Sequence, residues 1–149
     1  MVEQNLPLTG DELVRALWDI ERIKQLKARY FRHVDSRDWV ALHELFTSDC
    51  TFESEGMREV TNPEEFVRRV EQLITPGVSV HHGHMPEISL TGPDAAVGVW
   101  AMYDYLDLER PEGRRGIHGY GHYHEEYRRE AGHWLISSWK LTRLRVDRF

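Results

Sequence analysis

The 149-residue sequence is poor in cysteine: Cys50 stands alone, so no intramolecular disulfide can form and cysteine-based zinc fingers are excluded. A single thiol within Asp49-Cys50-Thr51-Phe52 reads as a small buried hydrophobe. Long apolar runs are missing too. No segment approaches the ~20 consecutive apolar residues of a membrane-crossing helix. Residues 1–6 hold neither a basic nor an apolar stretch, so no signal peptide is read there, and a soluble cytoplasmic protein without a membrane partner is expected. Positive charge is in deficit, with 19 Lys+Arg against 25 Asp+Glu and a formal net charge of −6. That balance argues against nucleic acid as a partner, because such binding rests on basic side chains neutralising phosphates. With no repeat, linker or low-complexity segment, the expectation is one domain over residues 1–149, with its core at about 12–146.

The sequence does have enough apolar material for a core: 40% hydrophobic residues, 11% of the total aromatic, a composition that argues against intrinsic disorder. Thr9-Gly10-Asp11-Glu12 has the spacing of a capping box. Leu13, Leu17, Ile20, Ile23 and Leu26 then recur at three and four residues, which predicts an amphipathic helix ending near residues 30–34. Asp38 is placed to cap a short second helix over 39–46. Thr51-Phe52-Glu53 reads as a short strand. Asn62-Pro63-Glu64-Glu65 is a helix start, with a cap residue, proline at the first position and acids at the positive end of the dipole, and Pro76-Gly77 stops that helix.

The second half changes character. Residues 78–90, 95–108, 115–128 and 133–146 are rich in Val, Ile, Tyr, Trp and His, and are separated by Thr91-Gly92-Pro93-Asp94, Arg110-Pro111-Glu112-Gly113 and Glu130-Ala131-Gly132. Turns this short make antiparallel neighbours, since a parallel crossover needs a dozen residues or more. Helices followed by a four-strand meander predict an α+β fold. Its concave sheet face leaves a pocket where the helices close it only in part.

Nine histidines are present, and six of them cluster. Strand alternation puts His82 and His84 on one face and His81 on the other. It also groups His118, Tyr120, His122 and His124 opposite Tyr123, Glu125 and Tyr127. Asp104 lies alone in Trp100-Ala101-Met102-Tyr103-Asp104-Tyr105, where an acid must be paired or face a cavity. His82, His84 and Glu87 have the residue types of a metal site, but a regular strand sets His82 and Glu87 on opposite faces, so no metal is assigned. Acid–base chemistry by histidine with carboxylate is the reading preferred for these residues, with a tyrosine hydroxyl polarising an oxygen.

Ile23, Leu26, Tyr30, Val34-Asp35, Asp38-Trp39, Leu45-Phe46 and Asp49, followed by Val80-His81, Gly92, Ala96, Gly121-x-Tyr123, Gly132-x-Trp134 and Leu135-Ile136, resemble the pattern of SnoaL-like proteins. These belong to the nuclear transport factor 2-like, or cystatin-like, superfamily of cone-shaped α+β folds. The resemblance implies N-terminal helices packed on a curved antiparallel sheet that encloses a pocket. The fold hosts enzymes and non-enzymes alike, so the function it implies is less specific than the fold. The bile-acid 7α-dehydratase, scytalone dehydratase and ketosteroid isomerase groups are the nearest in pattern. Their Tyr, Asp and His pocket falls here on Tyr30, Asp35, His81 and Asp104, with His82, His84 and His122 as alternatives for the base and with Tyr30 and Asp35 converging if the first helix ends before Asp35. The resemblance implies a cofactor-free lyase or isomerase: His81, oriented by Asp35 or Asp104, removes a proton next to a carbonyl while Tyr30 bonds the enolate oxygen. Trp18, Trp39, Phe52, His84, Trp100, Met102, Tyr105 and His122 are the candidate pocket walls for a small apolar steroid- or polyketide-like compound. A homodimer or higher homo-oligomer is expected in either case; the alternative is a non-catalytic ligand-binding or dimerising module, with Trp134, Trp139 and Leu141 on an exposed sheet face against a second copy. An open polar cavity would favour the enzyme, and a cavity filled by side chains the module.

Overall fold

The computed structural model describes residues 9–149; the stretch 1–6 read above lies outside them. Helix α1 (Gly10–Ser36) starts as its capping box requires. The Thr9 hydroxyl accepts from the Glu12 amide at 3.3 Å, and the Glu12 carboxylate accepts from the Thr9 amide at 2.8 Å. Its buried stripe is Ile23, Leu26, Lys27, Tyr30 and Val34. Leu13 and Leu17, expected on that stripe, face solvent because the packed stretch begins only at Ile23. The helix also runs past its expected end, through Asp35, and stops at Arg37 in the left-handed region (φ 61°).

Asp38 caps α2 (Trp39–His43) by accepting from the Ala41 amide at 3.1 Å. That helix is shorter than its apolar spacing suggests, because Phe46 already belongs to β1 (Phe46–Ser54). A turn at Gly56 (φ 78°) leads into β2 (Met57–Val60), a strand without a sequence signal. Helix α3 (Pro63–Ile74) forms as expected under an Asn62 cap and buries Phe66, Val67 and Ile74. Four long strands follow: β3 (Gly77–Gly92), β4 (Ala95–Arg110), β5 (Gly113–Glu130) and β6 (His133–Arg148).

The sheet order is β2-β1-β6-β5-β4-β3. The meander is antiparallel as its turns demand, but β1 runs parallel to β6, with Phe46 opposite Ile136 and Phe52 opposite Trp139, so the sheet is mixed. Register breaks between His84 and Glu87 in β3, and between Tyr120 and Gly121 in β5, mark bulges that bend the strands. The inner face of the curved sheet carries the core. Phe52 stacks on Phe66 with ring centroids 3.9 Å apart, and Tyr123, Tyr127 and Ile136 are almost fully buried. Cys50 is buried as expected, and burial pushes its thiol pKa up. Trp134, Trp139 and Leu141 sit on this inner face at 4, 6 and 8% exposure, so they are core residues and offer nothing to a second copy. Strand alternation gives the outer face to His82, His84, Tyr103, His118 and Tyr120, whose rings run in contact across three strands.

Candidate active site

Two local features bring the end of α1 onto β3. The Arg37 guanidinium, at the helix C-cap, donates to the Gly77 carbonyl where β3 begins. Further along the strand, a β-carbon at Gly83 would lie 2.6 Å from the Phe31 ring, so only glycine lets helix and strand approach this closely. Asp35, on the last turn of α1, then reaches His81. Its Oδ1 lies 2.7 Å from His81 Nδ1, its Oδ2 accepts from the His81 amide at 2.8 Å, and the Ser79 hydroxyl donates to Oδ1 at 2.9 Å. A carboxylate held at three points fixes the imidazole plane and assigns the proton to Nδ1. Nε2 makes no hydrogen bond among the described residues and carries the lone pair.

Asp104 is 2% exposed on β4, and its partner is a residue the sequence reading did not single out. Arg143, on β6, donates to both of its oxygens at 2.7 Å. The two strands are separated by β5, and the pair closes over Gly119, where a β-carbon would fall 2.0 Å from Asp104 Oδ1 and 2.1 Å from Arg143 Nη1. Burial works against the charge on Arg143, but the hydrogen bonds and negative charge of Asp104 outweigh it and hold the guanidinium pKa above its usual value. With both oxygens engaged, Asp104 does not orient His81, although the two are opposite each other in the β3–β4 register.

Tyr30, His81, Asp104 and Arg143 line one inner chamber of about 140 Å³, with Phe66, Trp139 and Leu141 among its apolar walls. Burial foremost, then the negative charge of Glu125, raises the Tyr30 hydroxyl pKa well above the usual tyrosine value, so it keeps its proton and can only donate or accept as a neutral group. The chamber adjoins a cleft of about 890 Å³, and Ser54, Met57, Leu73, Leu106, Leu141 and Arg143 line both. The indole N–H of Trp139 is buried and has no hydrogen-bond partner among the described residues.

The expected set is therefore brought together in part. Tyr30, His81 and Asp104 share the chamber and Asp35 stands directly behind His81, but Tyr30 and Asp35 do not converge by an early helix end. The expected walls lie elsewhere. Trp18 is 60% exposed on α1, Trp39 packs at a surface groove beside His43, and Phe52 is consumed by its stack on Phe66. Trp100 faces inward but donates to the Tyr127 hydroxyl at 2.8 Å, and Met102 lies beneath Arg143 with its sulfur 3.8 Å from Nη1. Alternation turns His82, His84, Tyr105 and His122 to the outer face, so none of these histidines replaces His81 in the chamber. No three His, Cys, Asp or Glu residues are grouped as a metal ligand set among the described residues.

A second buried charge pair backs the chamber. Lys27 and Glu125 are both fully buried and ion-paired, and the Lys27 ammonium lies 3.6 Å from the centroid of the Tyr123 ring and 4.0 Å from that of Tyr30. Glu125 also accepts from the Tyr127 hydroxyl at 2.6 Å. Burial lowers the Lys27 pKa to about 8, with Glu125 acting in the opposite direction. The signals for these residues were there to be read. Lys27 falls on the Ile23-Tyr30-Val34 stripe, Glu125 alternates between Tyr123 and Tyr127, and Arg143 continues the inward series Trp139, Leu141.

Comparison with known proteins agrees with this architecture. A Gibberella zeae protein named as the probable cyclase FGR4 is 24% identical over 135 residues, covering 82% of this chain and 89% of its own. Among solved structures, a type 2 hexachlorocyclohexane dehydrochlorinase (LinA) superposes with a TM-score of 0.82 at 20% identity, covering 91% of this chain and 92% of its own. A scytalone dehydratase-like protein from Novosphingobium aromaticivorans gives 0.78 at 19% identity, covering 89% and 88%. These likenesses carry the fold; the SnoaL-like domain family itself matches over residues 15–140, and the chain belongs to it.

Proposed function

We propose that the protein is a cofactor-independent lyase or isomerase that removes a proton next to a carbonyl, with His81 as the base. The observation that carries this is the Asp35–His81 dyad: Nδ1 is engaged by a fixed carboxylate, while Nε2 is left free on a residue that lines the chamber. As Nε2 takes the proton, the imidazolium formed is stabilised by Asp35. Negative charge developing on the carbonyl oxygen needs donors already in place. Tyr30, which keeps its proton, is a donor on the chamber wall, and the Arg143 guanidinium, paired with Asp104, adds positive charge beside it. In a lyase the electrons then expel a leaving group from the neighbouring carbon; in an isomerase the proton returns at another carbon. A chamber lined by Tyr30, His81, Asp104 and Arg143 supports catalysis over a purely dimerising module, whose cavity side chains would fill. The similar proteins, named as a dehydrochlorinase, a scytalone dehydratase-like protein and a probable cyclase, include enzymes named for eliminations, which this chemistry accommodates.

The test is loss of α-protons from ketones in D2O, followed by proton NMR over a panel of small apolar ketones and hydroxy-ketones. Exchange by the wild type is expected to fall at least ~10²-fold in His81→Gln, the usual lower bound for a positioned acid–base group, and to fall less in Asp35→Asn. Exchange that His81→Gln leaves unchanged would remove His81 from the role.

A further inference from the structure

The inner chamber, at about 140 Å³, is too small for a steroid- or polyketide-sized molecule, so the body of such a ligand belongs in the adjoining cleft of about 890 Å³. The lining of that cleft is unusual for a chain of net charge −6. Its floor is apolar, made by Leu106, Leu108, Ile117 and Phe149 among others. Its charged groups are Arg58, Arg69, Arg110, Arg115, Arg143 and Arg148, against one acid, Glu55. Three of these are already occupied: Arg143 by Asp104, Arg69 by Glu65, and Arg110 by the Leu73 carbonyl at 2.8 Å. The other three, Arg58, Arg115 and Arg148, make no ion pair among the described residues. They come from β2, β5 and β6, and the register sets Arg148 opposite Ile117, two residues along from Arg115, so the guanidiniums collect at the cleft from separate strands.

Like charges gathered on a partly apolar wall repel, and the arrangement gains only when an anion sits among them. Guanidinium forks match planar or tetrahedral oxyanions with paired hydrogen bonds. We infer that the substrate carries an oxyanion, a carboxylate or a phosphate, on the apolar body that fills the cleft, and that Arg58, Arg115 and Arg148 bind it while the opposite end enters the chamber. The inference rests on the proposed chamber chemistry for which end reacts; the binding step stands apart from it.

Titration calorimetry with 2-naphthylacetate, its methyl ester and 1-naphthyl phosphate separates the possibilities. At 20 mM salt one of the two anions is expected to bind at least about 10-fold more tightly than the neutral ester, and the preference is expected to shrink by 300 mM salt as exposed charges are screened. Whichever anion binds more tightly identifies the oxyanion. The triple variant Arg58→Gln, Arg115→Gln, Arg148→Gln changes exposed residues only and is expected to bind ester and anion alike. The inference is overturned if no anion binds, if the ester binds as tightly, or if the triple variant keeps the preference. His81→Gln is expected to retain anion binding, so a failed base assignment leaves a signature distinct from a failed anion site.

Discussion

At the residue scale the most consequential side chain outside the chamber is Lys27. Its ammonium and the Glu125 carboxylate are both withdrawn from water, and each is tolerable only because of the other. Lys27→Met keeps the volume and leaves a buried carboxylate with only Tyr127 to satisfy it. Such a break costs about 3–5 kcal/mol, and urea unfolding at neutral pH is expected to show a loss of that size. Lys27→Met with Glu125→Gln removes the stranded charge and keeps an acceptor for Tyr127, so it is expected to recover much of the loss. A single variant as stable as the wild type contradicts the pairing. The pH dependence has a definite sign. With the folded pKa of Lys27 lowered to about 8 and the unfolded value near that of free lysine, the unfolded chain holds the proton over the interval between them. The wild type is therefore expected to gain stability relative to Lys27→Met as pH rises above about 8.

At the scale of elements, the site depends on how closely α1 lies against β3. Asp35 is on one and His81 on the other, and nothing within either element makes the dyad. Gly83 sets the spacing, because the Phe31 ring occupies the position a side chain would take. Gly83→Ala is expected to push the helix outward and cost about 1–3 kcal/mol, the usual penalty of overpacking. It is also expected to slow proton exchange by lengthening the Asp35–His81 bond, although residue 83 does not line the chamber. Adding Phe31→Leu returns space at the contact, so the double variant is expected to regain both stability and rate. Thermal unfolding and the ketone exchange assay report the two effects separately. If Gly83→Ala is as active and stable as the wild type, the glycine does not set the approach.

At the scale of the whole molecule, what was legible in the sequence and what was not divide by separation along the chain. Turn residues joined the meander strands because the pairing they dictate is local, and cap residues fixed the starts of α1 and α3 for the same reason. The parallel pairing of β1 with β6 joins Phe52 to Trp139, and the Asp104–Arg143 and Lys27–Glu125 pairs span 39 and 98 residues; no periodicity or turn encodes contacts like these. Asp104 stood out as an acid in an aromatic run, and His81 with Asp35 behind it followed from the family resemblance, whereas Arg143, the partner of Asp104, became evident only with the sheet order. The same division predicts a folding order. Local antiparallel pairings close short loops at little entropic cost, whereas docking β1 on β6 closes a long one. The transition state is therefore expected to hold the β4–β5 hairpin and to lack β1. Leu106→Val, on β4 opposite Ile117, is expected to slow refolding, while Phe52→Leu, in β1, is expected mainly to speed unfolding. Stopped-flow refolding and unfolding in urea measures both. The opposite partition, with Phe52→Leu slowing refolding in proportion to the stability it loses, would place the long-range pairing first.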